Sequence, residues 1–496
     1  MKKIWITLVG LSLLPTLLIG QDYQEKLDAL DQYIETARKQ WEVPGLAVAI
    51  VKDGETVLCR GYGVRQEGSS DKVDRQTLFA ICSTTKAMTA ACMSMLVDEG
   101  KIDWDDKVYK VLPEFRLDDP FRTREIRVRD LFTHNTGLGN ADLLWYIWDY
   151  DPEVIMSKMQ KQEPAYPLRG GFTYQNNMYA VAGKVIEKIS GKTWSEFVQE
   201  RIFRPLKMDH TFPTQELSKN YTNRSSAHSK YQNKISAFAD ESADKIAPAG
   251  AVWSTIEDMQ KWMLFVLDSA MIDGERLISD KNYREWLKPQ TMVSDAGFYP
   301  TQKLTNPHWK TYALGWFQHD YQGRAVSFHT GSLQGTIAII GLIPDEKLGV
   351  YVFGNLDHAE VRHAIMYKVF DVFGGNDDSP DWSTDFLELY ESLKPKPDTL
   401  SLANAQVLPS FAFSQLAGIY EDDYLGLLEV VEDEGELIAF IGPKDKARLI
   451  HKNRNTFTLE FISRPYMSRS QCTFEDNGDK VTGIKYFNRF FKKKKP

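Results

Sequence analysis

The chain reads as an α+β protein: a mixed antiparallel sheet interrupted by a large helical insertion, followed by a small C-terminal antiparallel β-barrel. Three observations predict this. Strand-like apolar runs stand at both ends of residues 21–375 with helical periodicity between them, so the first and last segments of one sheet meet. The 496 residues, 43% hydrophobic and 26% charged, have ordinary globular composition and room for two or three domains. Beyond residue 411 the pattern changes to short β-runs separated by turns.

Met1-Lys2-Lys3 forms a basic start and Ile4 to Ile19 an apolar run, with Gly20-Gln21 as the cut. Residues 1–20 therefore read as a signal peptide, which implies a periplasmic or secreted protein with no transmembrane anchor once it is removed. Its removal takes away two lysines and no acids, moving the net charge from −8 to about −10. So acidic a chain is a poor partner for nucleic acid. An amphipathic helix follows at 24–41, with Leu27, Leu30, Ile34 and Ala37 on its apolar face. Gly45 to Val51 and Thr56 to Tyr62 read as strands joined at Lys52-Asp53-Gly54.

Helices are predicted at 177–190, 194–203 and 255–268, and strands near 311–318, 324–329, 335–343 and 348–354. A helix at about 358–372 ends the first domain. Residues 376–410 read as a linker with a short helix at 383–394. Residues 411–492 read as the barrel, a sandwich being the alternative, with turns at Glu434-Gly435 and Asn477-Gly478.

The chemistry centres on Ser83. Ser-x-x-Lys occurs at Ser69/Lys72, Ser83/Lys86 and Ser242/Lys245, but only Ser83 leads into a helical pattern, through Ala87, Met88, Ala91, Cys92, Met95 and Leu96. At i and i+3 on a helix the two side chains share a face, so Lys86 is placed to handle the proton of a Ser83 nucleophile. Tyr174 lies on a loop after Gly170-Gly171. A tyrosine near an ammonium loses proton affinity, which fits it as a general base. Asn176 offers a donor and an acceptor to orient Lys86 and a substrate amide. His329-Thr330-Gly331 ends the strand-like run Arg324 to Phe328, and its glycine lets a substrate backbone approach the strand edge. The run Leu143 to Tyr150 is read as a pocket wall or as a core or lid segment. The sequence holds no Gly-x-Ser-x-Gly elbow, which counts against an ordinary Ser-His-Asp hydrolase, and its nine histidines show no His-Glu-x-x-His or clustered spacing, which counts against metal hydrolysis; no metal and no cofactor is expected.

Together, Ser83-x-x-Lys86, Tyr174-x-Asn176 and His329-Thr330-Gly331, in that order, resemble the serine β-lactamase and penicillin-binding-protein superfamily, in its class C-related esterase and peptidase branch. Val43 to Ala49, Arg129 to Leu138, Pro248 to Thr255 and Leu314-Gly315-Trp316 resemble it too, across residues 25–375. Leu416-Ala417-Gly418-Ile419-Tyr420 resembles the start of a lipocalin-like domain appended to many members. The resemblance implies an exported serine hydrolase. Ser83 would be acylated, Lys86 would handle protons and Tyr174 would be the base, assisted by Asn176. His329, Thr330 and Gly331 would border the substrate, and the backbone N–H groups of Ser83 and Ser332 would form the oxyanion hole.

The implied substrate is a small-molecule or peptide acyl donor: an ester, an amide, a D-amino-acid peptide, a β-lactam or a cell-wall fragment. The alternative is a non-catalytic cell-wall or peptide-binding protein using the same cleft or the barrel. Two positions depart from the commoner pattern: Gln175 stands where serine is usual, and His329 where lysine would give a permanent cation for a substrate carboxylate. Deleting residues 400–496 is expected to leave acylation in place.

Overall fold

The computed structural model describes residues 14–376, 378–394, 407–464, 467 and 469–495. Residues 1–13 of the predicted signal peptide, and 377 and 395–406 of the predicted linker, lie outside the described residues. The first helix spans Leu14–Gln40. No helix among the described residues is long and apolar enough to cross a membrane.

The main sheet has eight strands, in the order Glu55–Gly63, Gly45–Lys52, Leu348–Gly354, Thr336–Ile343, Arg324–Leu333, Phe317–Tyr321, Lys310–Tyr312 and Thr291–Met292. All neighbours run antiparallel. The first and last strands of the domain do meet, with Leu46 opposite Gly354 and Lys52 opposite Leu348.

The two-residue period of a strand explains the layers. Along Gly45–Lys52, Leu46, Val48 and Ile50 enter one buried cluster, under Leu14–Gln40 and Val361–Phe373. Ala47, Ala49 and Val51 enter the other, under the helical insertion. The small alanines let helix Ile256–Leu267 lie close on that face. Each fully buried Leu, Ile or Val contributes about 1.5–3 kcal/mol, so a sheet covered on both faces is a rigid base for a site.

The expected strand at 311–318 is broken at Ala313–Trp316. Gly315, at φ +87°, presses against the backbone of Lys86 and Ala87, where a Cβ would stand 2.9 Å from their atoms. That close approach, which apolar periodicity does not reveal, turns one strand into two. The strand at 324 runs on to Leu333, so His329 lies within it and not at its end.

The C-terminal strands, Gly418–Asp422, Gly426–Asp433, Glu436–Ile441, Asp445–Asn453, Thr456–Phe461, Ser470–Asp476, Val481–Tyr486 and Arg489–Lys493, form a closed barrel in sequence order. Tyr420 opposite Lys493 closes it. Alternate residues fill its interior, among them Tyr420, Leu428, Val430, Phe457, Phe474 and Phe491.

Candidate active site

Ser83 sits in a short 3-10 turn, Cys82–Thr84, immediately before helix Thr85–Asp98. Cys82 holds a left-handed φ of 51°, a conformation costing of order 1–3 kcal/mol in a non-glycine residue. The turn is pinned nearby: the Thr84 hydroxyl donates to Ile81 O at 2.9 Å and bonds the Tyr351 hydroxyl at 2.7 Å.

Lys86 is fully buried one turn on. Its Nζ reaches Ser83 Oγ at 3.0 Å, Asn176 Oδ1 at 2.7 Å and Ala249 O at 2.8 Å. Burial pulls its pKa down to about 7, and Asp142 opposes the shift. A lysine so placed is half neutral near pH 7, and its lone pair can accept the Ser83 proton. Asn176 opens helix Asn176–Ser190, which packs on Thr85–Asp98. Its Nδ2 donates to Asp142 Oδ2 at 3.0 Å, extending the chain to Ser83, Lys86, Asn176, Asp142. Asp142 also accepts from Asn140 Nδ2 at 3.0 Å and Trp145 Nε1 at 3.1 Å.

Tyr174 stands beside these groups, its ring centroid 4.8 Å from Lys86 Nζ. The expected loss of proton affinity is not found: burial holds the phenol well above its ordinary pKa, and the Ser83 side chain pulls the other way more weakly. Desolvation also deprives Lys86 of the permanent charge on which that expectation rested. Tyr174 is therefore a protonated phenol at rest, and Lys86 is the better proton acceptor of the two.

His329 is buried at 1% exposure, with Nε2 bonding the Tyr312 hydroxyl at 2.9 Å and Nδ1 next to Thr330 O at 2.6 Å. Burial lowers its pKa to about 3, so it is neutral. It lies behind the cleft; Thr330 and Ser332, two apart on the strand, line it. Gly331 packs on the nucleophile turn: a Cβ there would stand 2.3 Å from Ile81 O and 3.1 Å from Ser83 N. Arg362, also buried, grips the strand from behind, donating to Gly331 O at 2.5 Å and Ser332 Oγ at 2.9 Å, with Glu360 as its counter-ion.

The cleft is a cavity of about 370 Å³. Ser83, Asp142, Tyr174 and Asn176 line one side, and Phe172, Phe298, Tyr299 and Phe317 supply aromatic surface. No Lys, Arg or His is among the described residues lining it. The structure thus brings Ser83, Lys86, Tyr174, Asn176, Thr330, Gly331 and Ser332 together and sets His329 back. Sequence reasoning missed Asp142, Arg362 and His134. The last is a fully buried ring 4.3 Å from that of Tyr174, with Nδ1 accepting the Gln175 N–H at 3.0 Å. Of the three, only His134 carried a sequence signal, lying in the family-like stretch Arg129 to Leu138.

Comparison with known proteins agrees with this geometry. A family model described as Beta-lactamase matches residues 30–370. The unguisins hydrolase ungD of Aspergillus violaceofuscus is 27% identical over 445 residues, covering 82% of this chain and 76% of that protein. The octameric penicillin-binding protein homologue from Pyrococcus abyssi superposes with a TM-score of 0.60 at 20% identity, covering 94% of this chain and 99% of the other. A D-stereospecific amidohydrolase from a Streptomyces species gives 0.55 at 23% identity over 69% and 97%. The chain belongs to the β-lactamase family and is a serine hydrolase of amide or ester bonds.

Proposed function

We propose that this β-lactamase-family serine hydrolase forms an acyl-enzyme on Ser83 with neutral, apolar acyl groups, cleaving amides, peptides or esters that carry no carboxylate beside the scissile bond. One observation carries the reading. The aromatic cleft presents Ser83 but no cation among its described lining residues, and the histidine at the third signature is neutral and buried behind that lining. A substrate carboxylate bound against the aromatic lining would meet the Asp142 carboxyl there and no cation among the described lining residues, so its loss of hydration, costly in a low-dielectric cleft, goes without a charged partner. Penicillins and C-terminal carboxylates are therefore poor substrates in this reading. The relative named for hydrolysing unguisins supports hydrolysis as such.

Ser83 attacks the carbonyl while neutral Lys86 takes its proton. Asn176 and Ala249 O hold the ammonium that forms, and the leaving group departs with that proton, passed on directly or by way of Tyr174, which Lys86 then reprotonates. Water then repeats the cycle on the ester. The N-H groups of Ser83 and Ser332 are the proposed oxyanion donors, each typically contributing ~2.7–4 kcal/mol to the transition state. Export through residues 1–20 belongs to the same proposal, supported by the basic start and apolar run; N-terminal sequencing of protein recovered outside the cytoplasm would check it.

The decisive experiment pairs intact-mass labelling by a neutral aryl ester or fluorophosphonate with the same reaction on Ser83→Ala. Wild type gains one adduct on Ser83, acyl from the ester or phosphonyl from the fluorophosphonate, and the variant gains none. An adduct on Ser83→Ala, or equal acylation by an ester and its carboxylate-bearing analogue, would sink the proposal.

A further inference from the structure

The segment after Asp142 ties the catalytic cleft to the barrel. Asp142 precedes the short helix Leu143–Tyr146, and the aromatic run that follows does not wall the cleft. Trp148, 3% exposed, donates from Nε1 to Leu427 O at 3.3 Å and stacks on Phe491 at 6.1 Å and 15°. The Tyr150 hydroxyl donates to Leu425 O at 2.9 Å, and Lys444 pairs with Asp149 at 2.7 Å. Arg464 lies 4.8 Å over the ring of Tyr146 while bridging Glu241, at 2.9 Å, and Asp445. Gly442, at φ +59°, allows a close approach to the backbone of this segment: a Cβ there would stand 2.5 Å from Ile147 O.

Leu144, Ile147 and Trp148 share one continuous buried cluster with the barrel interior. The barrel therefore meets residues 146–150 through aromatic packing, two hydrogen bonds from side chains to strand-end carbonyls, one ion pair and the Arg464 contact on the Tyr146 ring. Four residues upstream of this clamp, Asp142 holds Asn176, which holds Lys86.

We propose that the barrel is a working part of the catalytic relay: by clamping residues 146–150 it sets where Asp142 stands against Asn176 and Lys86. Trp148 and Tyr150 are positioning residues in this account, acting through Asp142. The expectation that the barrel is dispensable for acylation is revised accordingly. The inference rests on the Ser83 acyl-enzyme, whose own test is adduct formation at Ser83; here the readout is the rate at which that adduct forms.

The test is a double-mutant cycle on the full chain, measuring acylation in single turnovers with a neutral aryl ester. Gly442→Ala, which forces the barrel off Ile147, is expected to slow acylation about tenfold. Tyr150→Phe, which removes one hydroxyl, is expected to slow it about threefold, since small displacements of a catalytic group are expensive in rate. In an Asp142→Asn background both losses shrink to less than about twofold, because the part they act through is already disabled. Glu436→Ala, on the exposed side of the barrel, leaves the rate unchanged. A barrel with a purely structural role would lower thermal stability while the losses multiplied with Asp142→Asn. That multiplication, or wild-type acylation in both clamp variants, overturns the proposal; if Gly442→Ala does not fold, Tyr150→Phe decides alone.

Discussion

The two sides of the cleft are built on opposite principles. The helical side is a connected polar chain, in which Ser83, Lys86, Asn176 and Asp142 touch in sequence and Lys86 reaches three oxygens within 3.0 Å. The strand side is aromatic, with no charged side chain among its described lining residues, and His329 of the third signature bonds the Tyr312 hydroxyl behind that lining. Chemistry is concentrated on one side and shape on the other. Removing a group from the helical side should damage the bond-breaking step, whereas changing the strand side should alter which acyl groups enter.

The strongest way to break this contrast is Lys86→Ala. General acid–base catalysis is typically worth about 10²- to 10⁴-fold, and kcat/KM on a neutral ester should fall within that range. A loss below tenfold would move the proton-accepting role elsewhere, Tyr174 being the next candidate.

The acid limb of the pH profile sharpens the same point. Lys86 has a pKa of about 7, and the groups packed round it are held outside the neutral range: His134 and His329 are pushed down, and Tyr174, Tyr179 and Cys82 up. Acylation by wild type is expected to rise with pH through about 7 and then level off. The sign for stability follows. Between about 7 and the ordinary lysine value of 10.5 the unfolded chain binds the extra proton, so the Lys86 contribution to stability grows with pH across that window. A stopped-flow pH series lacking this limb, or showing it unchanged in Lys86→Ala, would contradict the assignment.

What was legible in the sequence follows a physical pattern. Ser83 and Lys86 are three residues apart on one chain segment, so local spacing announced them, and Tyr174 and Asn176 came with a motif. The meeting of the first and last strands followed from apolar runs at both ends of the domain. Asp142 was invisible because its partner Asn176 is 34 residues away and the two meet only when helix Asn176–Ser190 docks. The direction of the Tyr174 shift was misjudged because it depends on burial, which no spacing records. Leu143 to Tyr150 stood open between a pocket wall and a core or lid segment, and the core reading holds: Leu144, Ile147 and Trp148 are buried, but the barrel that covers them is more than 270 residues downstream, where no local spacing reaches.

The mildest perturbation tests the strand side. His329→Asn deletes a ring that does not line the cleft, so kcat/KM on a neutral ester should stay within about threefold of wild type. Stability should drop by about 1 kcal/mol through the lost bond to Tyr312, a typical net value for one hydrogen bond. Comparing this variant with Lys86→Ala on the same ester sets the two sides against each other. If His329→Asn cost as much rate as Lys86→Ala, the histidine would have to reach the reacting atoms during turnover, and the division of the cleft into a chemical side and a shape side would fail. If it altered only the thermal midpoint, the third signature of this chain acts through the packing of its strand, and Thr330 and Ser332 remain as the strand residues that meet the substrate.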